Sequence, residues 1–380
     1  MLPPELLNND PAGFAWGVWH DRTPKLIARI RDGHPYDPQQ RDAFDALLAE
    51  VETGVMRALP DDARDKELWV SAYYGKPWLD APFLWSESYF YRRLLDAARF
   101  FEPGPWYYVD PFAQLKAAEL SGATAEAALA AQHDLDGLTL AEQGQAKLLA
   151  AVWGNQADLT FRIGRAGAAT GEAGLVADQS GDVWAALAAA TAVVLVTDNA
   201  GLELLADLIL VDHILAAQPA CSVWLHVKPL PFFVSDATTA DVTAGLDRLG
   251  RTQATAGAAA RIRDAATRGR FTLYTHEFYC SPRPYQRMPA GLAAQFAAAS
   301  LTIMKGDLNY RRLTGDRAWP PDTPFADVVG YFPGRLAALR TLKSDVLTGV
   351  SPEVTAGLGG ADGPWRTNGS HGLIQVLAGR

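Results

Sequence analysis

The sequence contains few cysteines, and its histidines form no zinc-binding pattern. Its 380 residues include only Cys221 and Cys280, which excludes a disulfide framework and a cysteine-rich zinc site. Each cysteine is predicted to be a small buried residue. The seven histidines include no His-x-x-x-His pair, which argues against a zinc hydrolase. His226 alternates within an apolar strand and is predicted to pack in the core.

The chain also lacks an excess of positive charge and a long hydrophobic run. Its 34 basic and 43 acidic residues give a formal net charge of −9, so general attraction to nucleic acid or to an anionic membrane is not expected. The longest apolar run, residues 183–196, has about 14 residues, whereas a bilayer span needs about 20. The N-terminus lacks the basic start and apolar core of a signal peptide. We therefore expect a cytoplasmic protein with no nucleic-acid or membrane partner.

The spacing of apolar residues differs between the N-terminal and C-terminal parts of the chain. Apolar residues recur at helical spacing in six early segments: Pro24–Asp32, Gln39–Ala58, Ser86–Phe100, Pro111–Leu120, Thr124–His133 and Ala141–Ala151. From about residue 175 a strand, loop and helix pattern repeats, which predicts a parallel sheet with helices on both faces. The predicted fold class is α/β. A mainly helical N-terminal domain is expected over residues 1–170, and a three-layer α/β/α, Rossmann-like domain with a mostly parallel sheet over residues 171–380.

The segment VVLVTDNAGLE at residues 193–203 is the most informative part of the sequence. A buried-strand pattern ends at Asp198 and Asn199, and an apolar helix pattern follows to about Ala217. In open α/β sheets, ligands bind just past the carboxyl ends of strands. Side-chain oxygens beside the first amides of a helix suit a phosphate or a hydrated cation. Asp and Asn are also ordinary helix N-caps, so the segment alone leaves both roles open.

Two more predicted strands end in polar residues. Ser222–Lys228 leads to Asp236, where another helix pattern begins, and Leu301–Lys305 breaks into Gly306 and Asp307. If these strands are parallel, their carboxyl ends converge on one edge of the sheet. The acids are then expected to share one site.

Four segments in this order resemble a known family: DNAGLE at 198–203, FVSDAT at 233–238, KGDLNYRRLTGD at 305–316 and RTLKSD at 340–345. They are similar to the metal-dependent damage-control phosphatases. The closest branch carries an Arg-Thr-x-Lys signature and contains sugar-phosphate phosphatases and acidic residue methyltransferase-like proteins. Further matches include ESYFYRR at 87–93 and WGNQADL at 153–159. One such motif would be weak evidence, but the resemblance covers nearly the whole chain.

The resemblance implies a metal-dependent phosphoric monoester hydrolase. It assigns one divalent metal ion, Mn²⁺, Mg²⁺, Co²⁺ or Ni²⁺, to Asp198, Asn199 and Asp236, a set of oxygen ligands that suits hard cations. Such an ion polarises the phosphoryl group and lowers the pKa of a bound water. The implied substrate-binding residues are Asp307, Leu308, Asn309, Tyr310, Arg311 and Lys343. Lys343 would meet a phosphate oxygen as a point charge.

Several side chains have more than one open role. Arg340 either pairs with an acid that shapes the site or contacts substrate, and Tyr310 either binds substrate or packs in the core. Glu203, one helical turn beyond Asn199, either faces the same ligand or belongs to a capping box. In the family, the matching acid has been connected with cofactor binding. Asn155 and Asp158 are further candidates for closing the cleft.

The predicted partner is a small phosphorylated metabolite; fructose 1-phosphate or fructose 6-phosphate is implied by the resemblance alone. Two other classes of function remain. One is an S-adenosylmethionine-dependent protein-glutamate carboxyl methyltransferase, against which no Gly-x-Gly-x-Gly loop follows an early strand. The other is a non-catalytic sugar-phosphate binding protein, which would not need the intact set of metal ligands. The sequence leaves the oligomeric state undetermined.

Overall fold

The computed structural model describes residues 2–69, 71–154, 174–360 and 363–379. The helices that precede the sheet are α1 (Phe14–Gly17), α2 (Thr23–Gly33), α3 (Pro38–Thr53), α4 (Phe83–Ala97), α5 (Ala113–Ser121), α6 (Ala123–Ala130) and α7 (Leu140–Trp153). A π-helical turn, Val18–Arg22, joins α1 to α2. The later helices are α8 (Ser180–Leu187), α9 (Leu202–Ala217), α10 (Thr239–Arg251), α11 (Ala256–Thr267), α12 (Ala290–Ala298), α13 (Gly306–Thr314), α14 (Phe325–Val329) and α15 (Pro352–Gly357).

Helix starts follow local capping signals. Asp37 and Gln40 form a reciprocal capping box around Pro38, which begins α3, and Thr139 with Glu142 does the same for α7. All six predicted early helices are present, with shifted ends. The helix predicted to reach Ala58 stops at Thr53, because the following Gly54 turns the chain so sharply that a Cβ there would lie 2.9 Å from the α3 backbone.

Over the described residues the sheet has seven strands: β1 (Leu175–Asp178), β2 (Ala192–Val196), β3 (Ser222–Val227), β4 (Phe271–Thr275), β5 (Leu301–Lys305), β6 (Leu336–Thr341) and β7 (Gly372–Leu377). Their order across the sheet is β1-β7-β6-β5-β2-β3-β4. Every neighbouring pair is parallel except β6 and β7. The prediction of an α/β fold with a mostly parallel sheet is confirmed. Because β2 pairs in parallel with both β3 and β5, the segments that follow these three strands leave the same edge of the sheet.

Helices cover both faces of the sheet and form two cores. One core is centred on α9, which packs against α7, α10 and α11; the other lies under α12, α13 and α14. Nearly all of α9 is buried, as expected for a helix enclosed between a sheet and other helices. None of the helices in the described ranges combines the length and apolarity needed to cross a membrane.

The early helices join the sheet at two places. The last of them, α7, packs on α9 and β6, so this helix contributes to a core of the α/β part. A third core, which is rich in aromatic residues and includes parts of α2, α3 and α4, also takes in Phe232 from the loop that follows β3. The helical part therefore lies against the sheet edge at which β2, β3 and β5 end.

Candidate active site

Backbone pairing beyond β2 and β3 brings the three predicted metal ligands together. The Ala237 amide donates to the carbonyl of Asp198 at 3.0 Å, and the Ala200 amide donates to the carbonyl of Ser235. Asn199 and Asp236 form an isolated antiparallel bridge. The loop that follows β3 therefore returns alongside the end of β2. This return places Asp198, Asn199 and Asp236 next to one another at the edge of the sheet.

A buried lysine accompanies the two carboxylates. Lys228 Nζ lies 3.3 Å from Asp236 Oδ1 and 4.0 Å from Asp198 Oδ1. The Phe233 amide donates to Asp236 Oδ2 at 2.9 Å. Asp198 and Asp236 are 5% and 1% exposed, so each carboxylate is held in place with little contact to water.

The electrostatics of this pair favour a bound cation. Burial, together with the nearby Glu203 and Asp236 charges, raises the pKa of Asp198 to about 8. Burial also raises the pKa of Asp236. A divalent ion would offset the cost of keeping both carboxylates ionised. Asn199 donates from Nδ2 to Glu203 Oε2 at 2.9 Å and, over a longer distance of 3.4 Å, to Asp198 Oδ2; within the described chain its Oδ1 accepts no hydrogen bond.

The donor set fits a hard cation. Two carboxylates and one amide supply oxygen ligands alone, as Mg²⁺ and Mn²⁺ prefer. Within the described ranges, no group of three or more His, Cys, Asp and Glu side chains could hold a metal. The present set is of a different kind, since its third member is an amide.

The raised pKa of Asp198 predicts a loss of stability with rising pH in metal-free protein. The folded state keeps the Asp198 proton up to about pH 8, whereas an unfolded aspartate releases it near pH 4. The free energy of unfolding should therefore fall between these pH values. In EDTA, the decrease in urea-unfolding free energy from pH 5 to pH 8 should be smaller for Asp198→Asn than for wild type. Parallel pH profiles would contradict this placement of the carboxyl group.

The first three residues of the Arg-Thr-x-Lys signature make packing and hydrogen-bond contacts at the end of β6. Arg340 is fully buried, and its Nε donates to Asp307 Oδ1 at 2.7 Å. Thr341 Oγ1 donates to the Val152 carbonyl of α7 at 2.6 Å, and the Leu342 side chain lies in a core. Of the two roles left open for Arg340, the structure shows the pairing with an acid. These contacts fix the loop that carries Lys343.

Lys343 is the signature residue whose charge is left uncommitted. Among the described residues it has no hydrogen-bond or ion-pair partner, yet its ammonium is close enough to offset part of the rise in pKa that burial causes at Asp198 and at Glu119. Glu119 of α5 accepts a hydrogen bond from the first amide of α9, Leu202 N, at 3.2 Å. Lys343 and the start of α9 therefore both lie near Glu119.

The start of α13 packs directly on Asp198. Gly306 has a φ of 80°, and a Cβ at this position would lie 1.9 Å from Asp198 Oδ2. Glycine is required here for two reasons: the left-handed backbone conformation and the close approach of the Asp198 carboxylate. Although burial opposes ionisation, Arg340 and Arg311 hold the pKa of the next residue, Asp307, below its ordinary value.

The other members of the predicted substrate segment have structural contacts. Leu308 is buried. Asn309 donates to the carbonyls of Thr197 and Lys305 at 3.0 and 2.8 Å, which ties β2 to β5. Tyr310 is buried, and its hydroxyl bonds Thr348 and Gln375, so of its two open roles the structure shows the core one. Arg311 pairs with Glu87 of α4 and with Asp316. Asn155 and Asp158 lie outside the described residues.

Sequence reasoning missed four charged residues of this region: Lys228, Lys305, Asp207 and Glu119. Lys228 and Lys305 each end an otherwise apolar strand pattern, a signal that could have marked them as buried cations with acidic partners. Lys305 Nζ lies 3.4 Å from Glu203 Oε1 and 3.1 Å from Asp207 Oδ1. Glu119 gave no signal, because its α5 helix approaches α9 only through the tertiary fold.

Two open cavities of the molecule lie away from these carboxylates. One of about 1030 Å³ is lined partly by Pro229, Leu230 and Phe232, on the loop that leads to Asp236. The other, of about 880 Å³, lies between the N-terminal segment and the residues around Pro284 and Asp316. The volume of a cavity does not identify the site, since Asp198 and Asp236 are buried and line neither of these two cavities.

The fold is that of an α/β protein with a mostly parallel sheet, and comparison with known proteins identifies its family. Residues 18–357 match the damage-control phosphatase ARMT1-like domain, and the chain belongs to this family. The chain is 26% identical to human damage-control phosphatase ARMT1, over 99% of this chain and 98% of the human one. The Bos taurus protein of that name is 29% identical, over 98% of each. A DUF89 family protein from Pyrococcus horikoshii shares the fold, with a TM-score of 0.50 at 15% identity over 93% of this chain and 95% of its own. By family, the protein is a phosphatase.

Proposed function

We propose that the protein is a metal-dependent phosphatase that acts on small phosphorylated sugars or related damaged metabolites. One observation carries the proposal: Asp198, Asn199 and Asp236 converge at the sheet edge, beside the uncommitted ammonium of Lys343. Both carboxyl groups would be protonated more readily than usual without a cation. The arrangement is therefore suited to a divalent metal and a phosphate together. Residence in the cytoplasm stays a prediction from the sequence.

The residues divide the work of hydrolysis between them. Asp198, Asn199 and Asp236 would hold one Mn²⁺, Mg²⁺, Co²⁺ or Ni²⁺ ion. Such an ion would polarise the phosphoryl group of the substrate and lower the pKa of a bound water. Lys343 would bind a non-bridging phosphate oxygen. Lys228 fixes Asp236 by charge, and the burial of both acids keeps bulk water away, which strengthens each of these interactions.

The sugar end of a substrate would lie against α13. We propose that Asp307, at the first turn of this helix, contributes to recognition, because Arg340 keeps it ionised and fixed in place. Leu308, Asn309, Tyr310 and Arg311 would act by shaping this turn, since their side chains are buried and the polar ones already have partners. Fructose 1-phosphate and fructose 6-phosphate are the first compounds to test.

Removal of the Lys343 ammonium should weaken catalysis without loss of the metal. A charge-assisted contact contributes about 1.5–3 kcal/mol, so Lys343→Ala should lower kcat/KM for the best sugar phosphate by about ten- to a hundredfold. Lys343→Arg should recover little, because a planar guanidinium does not replace a compact ammonium. Metal affinity should hardly change.

A matched control is Lys25→Ala, which removes an exposed lysine of α2. It should behave as wild type in phosphate-release kinetics. Equal kcat/KM for Lys343→Ala and wild type across a panel of sugar phosphates would contradict the placement of phosphate beside Lys343.

The decisive comparison is between phosphate release and methyl transfer. Purified protein should release phosphate from a sugar phosphate in the absence of S-adenosylmethionine, and addition of that compound should leave the rate unchanged. Metal-independent methylation of protein glutamates, with no phosphate release from any ester tested, would favour the methyltransferase. Binding of sugar phosphates with no turnover under any divalent metal would favour a non-catalytic binding protein.

A further inference from the structure

Three buried charged side chains lie next to the candidate metal ligands. Lys305, at the end of β5, places its Nζ 3.4 Å from Glu203 Oε1 and 3.1 Å from Asp207 Oδ1, and it also donates to the carbonyl of Ala151. The two acids are one turn apart on α9, and all three side chains are buried. One ammonium therefore stands between two carboxylates, and their attraction has to offset the large desolvation cost of three buried charges.

Only one of the two acids reaches the candidate metal ligands. Glu203 Oε2 accepts a hydrogen bond from Asn199 Nδ2 at 2.9 Å, while Glu203 Oε1 faces Lys305. Asp207 has no such contact within the described chain. The end of α7 packs closely against Glu203: a Cβ on Gly154 would lie 2.5 Å from Glu203 Cα. Lys305, Glu203 and Asn199 thus form a continuous chain of contacts that ends beside the two aspartates.

We propose that the Lys305–Glu203 pair is a positioning device for Asn199 that selects which end of its amide faces the cation. The two ends of an amide are almost equal in shape, but only the oxygen can bind a metal. Because the Glu203 carboxylate can only accept, it takes the amide nitrogen and leaves Oδ1 for the cation. The proposal rests on the metal site of the proposed function. Residues that orient metal ligands typically change metal affinity by about 10- to 100-fold.

Glu203→Gln should reverse this selection. The Lys305 ammonium can only donate, so it should keep the oxygen of the new glutamine. The glutamine nitrogen then faces Asn199, whose amide must turn its own oxygen away from the cation to accept that hydrogen bond. The change leaves the shape of residue 203 nearly unaltered.

Asp207→Asn is the matched control. It is also isosteric, it lies one turn further along α9, and it also removes one carboxylate from Lys305. A purely structural role for the buried charges predicts similar losses from both variants. The positioning role predicts that only Glu203→Gln affects the metal.

The test measures Mn²⁺ affinity from the electron paramagnetic resonance signal of free Mn²⁺, with thermal unfolding as a check on folding. Glu203→Gln should weaken Mn²⁺ binding by about 10- to 100-fold, while Asp207→Asn should stay within about twofold of wild type. Equal weakening in the two variants, or wild-type affinity in Glu203→Gln, would overturn the proposal. Absence of Mn²⁺ binding by wild type would overturn the proposed function itself, and this inference with it.

A double-mutant comparison isolates the orientation of the amide. Asn199→Asp presents an oxygen from either end, so it needs no orienting partner. In the Asn199→Asp background, the further change Glu203→Gln should weaken Mn²⁺ binding far less than it does in wild type. An undiminished effect in that background would show that Glu203 acts on the metal by another route, and the positioning role would be lost.

Discussion

Asp198→Asn and Asp236→Asn should each lower phosphatase turnover by several orders of magnitude while the fold survives. Each change keeps the shape of the side chain but removes a charge from the pair that would hold the cation, and the ion supplies most of the electrostatic stabilisation of phosphate transfer. Steady-state phosphate release at saturating sugar phosphate measures the effect. Added Mn²⁺, Co²⁺ or Mg²⁺ should restore EDTA-treated wild type but neither variant.

The control for these variants is Asp322→Asn, which changes an exposed aspartate and should retain wild-type turnover. Circular dichroism should show all three variants folded. In metal-free protein at pH 8, Asp198→Asn should even unfold at higher temperature than wild type, because it removes a carboxylate that burial penalises. Turnover of Asp198→Asn or Asp236→Asn within tenfold of wild type would contradict the assignment of these residues as metal ligands.

Gly306→Ala should lower turnover by about a hundredfold or more, although it lies outside the set of ligands. The new Cβ would meet Asp198 Oδ2 at 1.9 Å, so the carboxylate or the start of α13 must move. A displacement of about 1 Å in a catalytic group can cost about a hundredfold in rate. Phosphate release and Mn²⁺ affinity should fall together.

Gly75→Ala separates this clash from backbone strain. Gly75 has a φ of 77°, close to the 80° of Gly306, but no atom lies within 4 Å of its Cβ position. Both substitutions should carry the cost of a left-handed non-glycine residue, about 1–2 kcal/mol, and Gly306→Ala should lose further stability through its clash with Asp198. Only Gly306→Ala should lose activity. Equal activity of the two variants would show that Asp198 tolerates displacement and is not a metal ligand.

The shared strand edge could be predicted because it depends on local patterns and on one rule of topology. Buried-strand residues that stop at Asp198, and at the loop that leads to Asp236, mark strand ends, and parallel pairing puts such ends on one side. The predicted helix to about Ala217 ends at that residue. The sequence does not identify β1, β4, β6 and β7 individually, because short apolar runs do not distinguish strands from buried helices.

The charged network around the site could not be predicted, because its partners are far apart in the chain. Arg340 meets Asp307 only when β6 and β5 pair, and Lys228 meets Asp236 only because the intervening loop returns to its strand. The family resemblance pointed to residues 307–311 as a group, but helical geometry sends their side chains in different directions. Asp307 faces Arg340, while Asn309 donates to the carbonyls of Thr197 and Lys305.

Phosphate release by metal-stripped protein tests the central claim most directly. Wild type treated with EDTA and desalted should release no phosphate from fructose 1-phosphate, or from whichever sugar phosphate of the panel is hydrolysed best. Titration with Mn²⁺ should then restore full activity at one equivalent per chain. Full phosphate release in the continued presence of chelator would contradict the claim that Asp198, Asn199 and Asp236 act by holding a divalent cation.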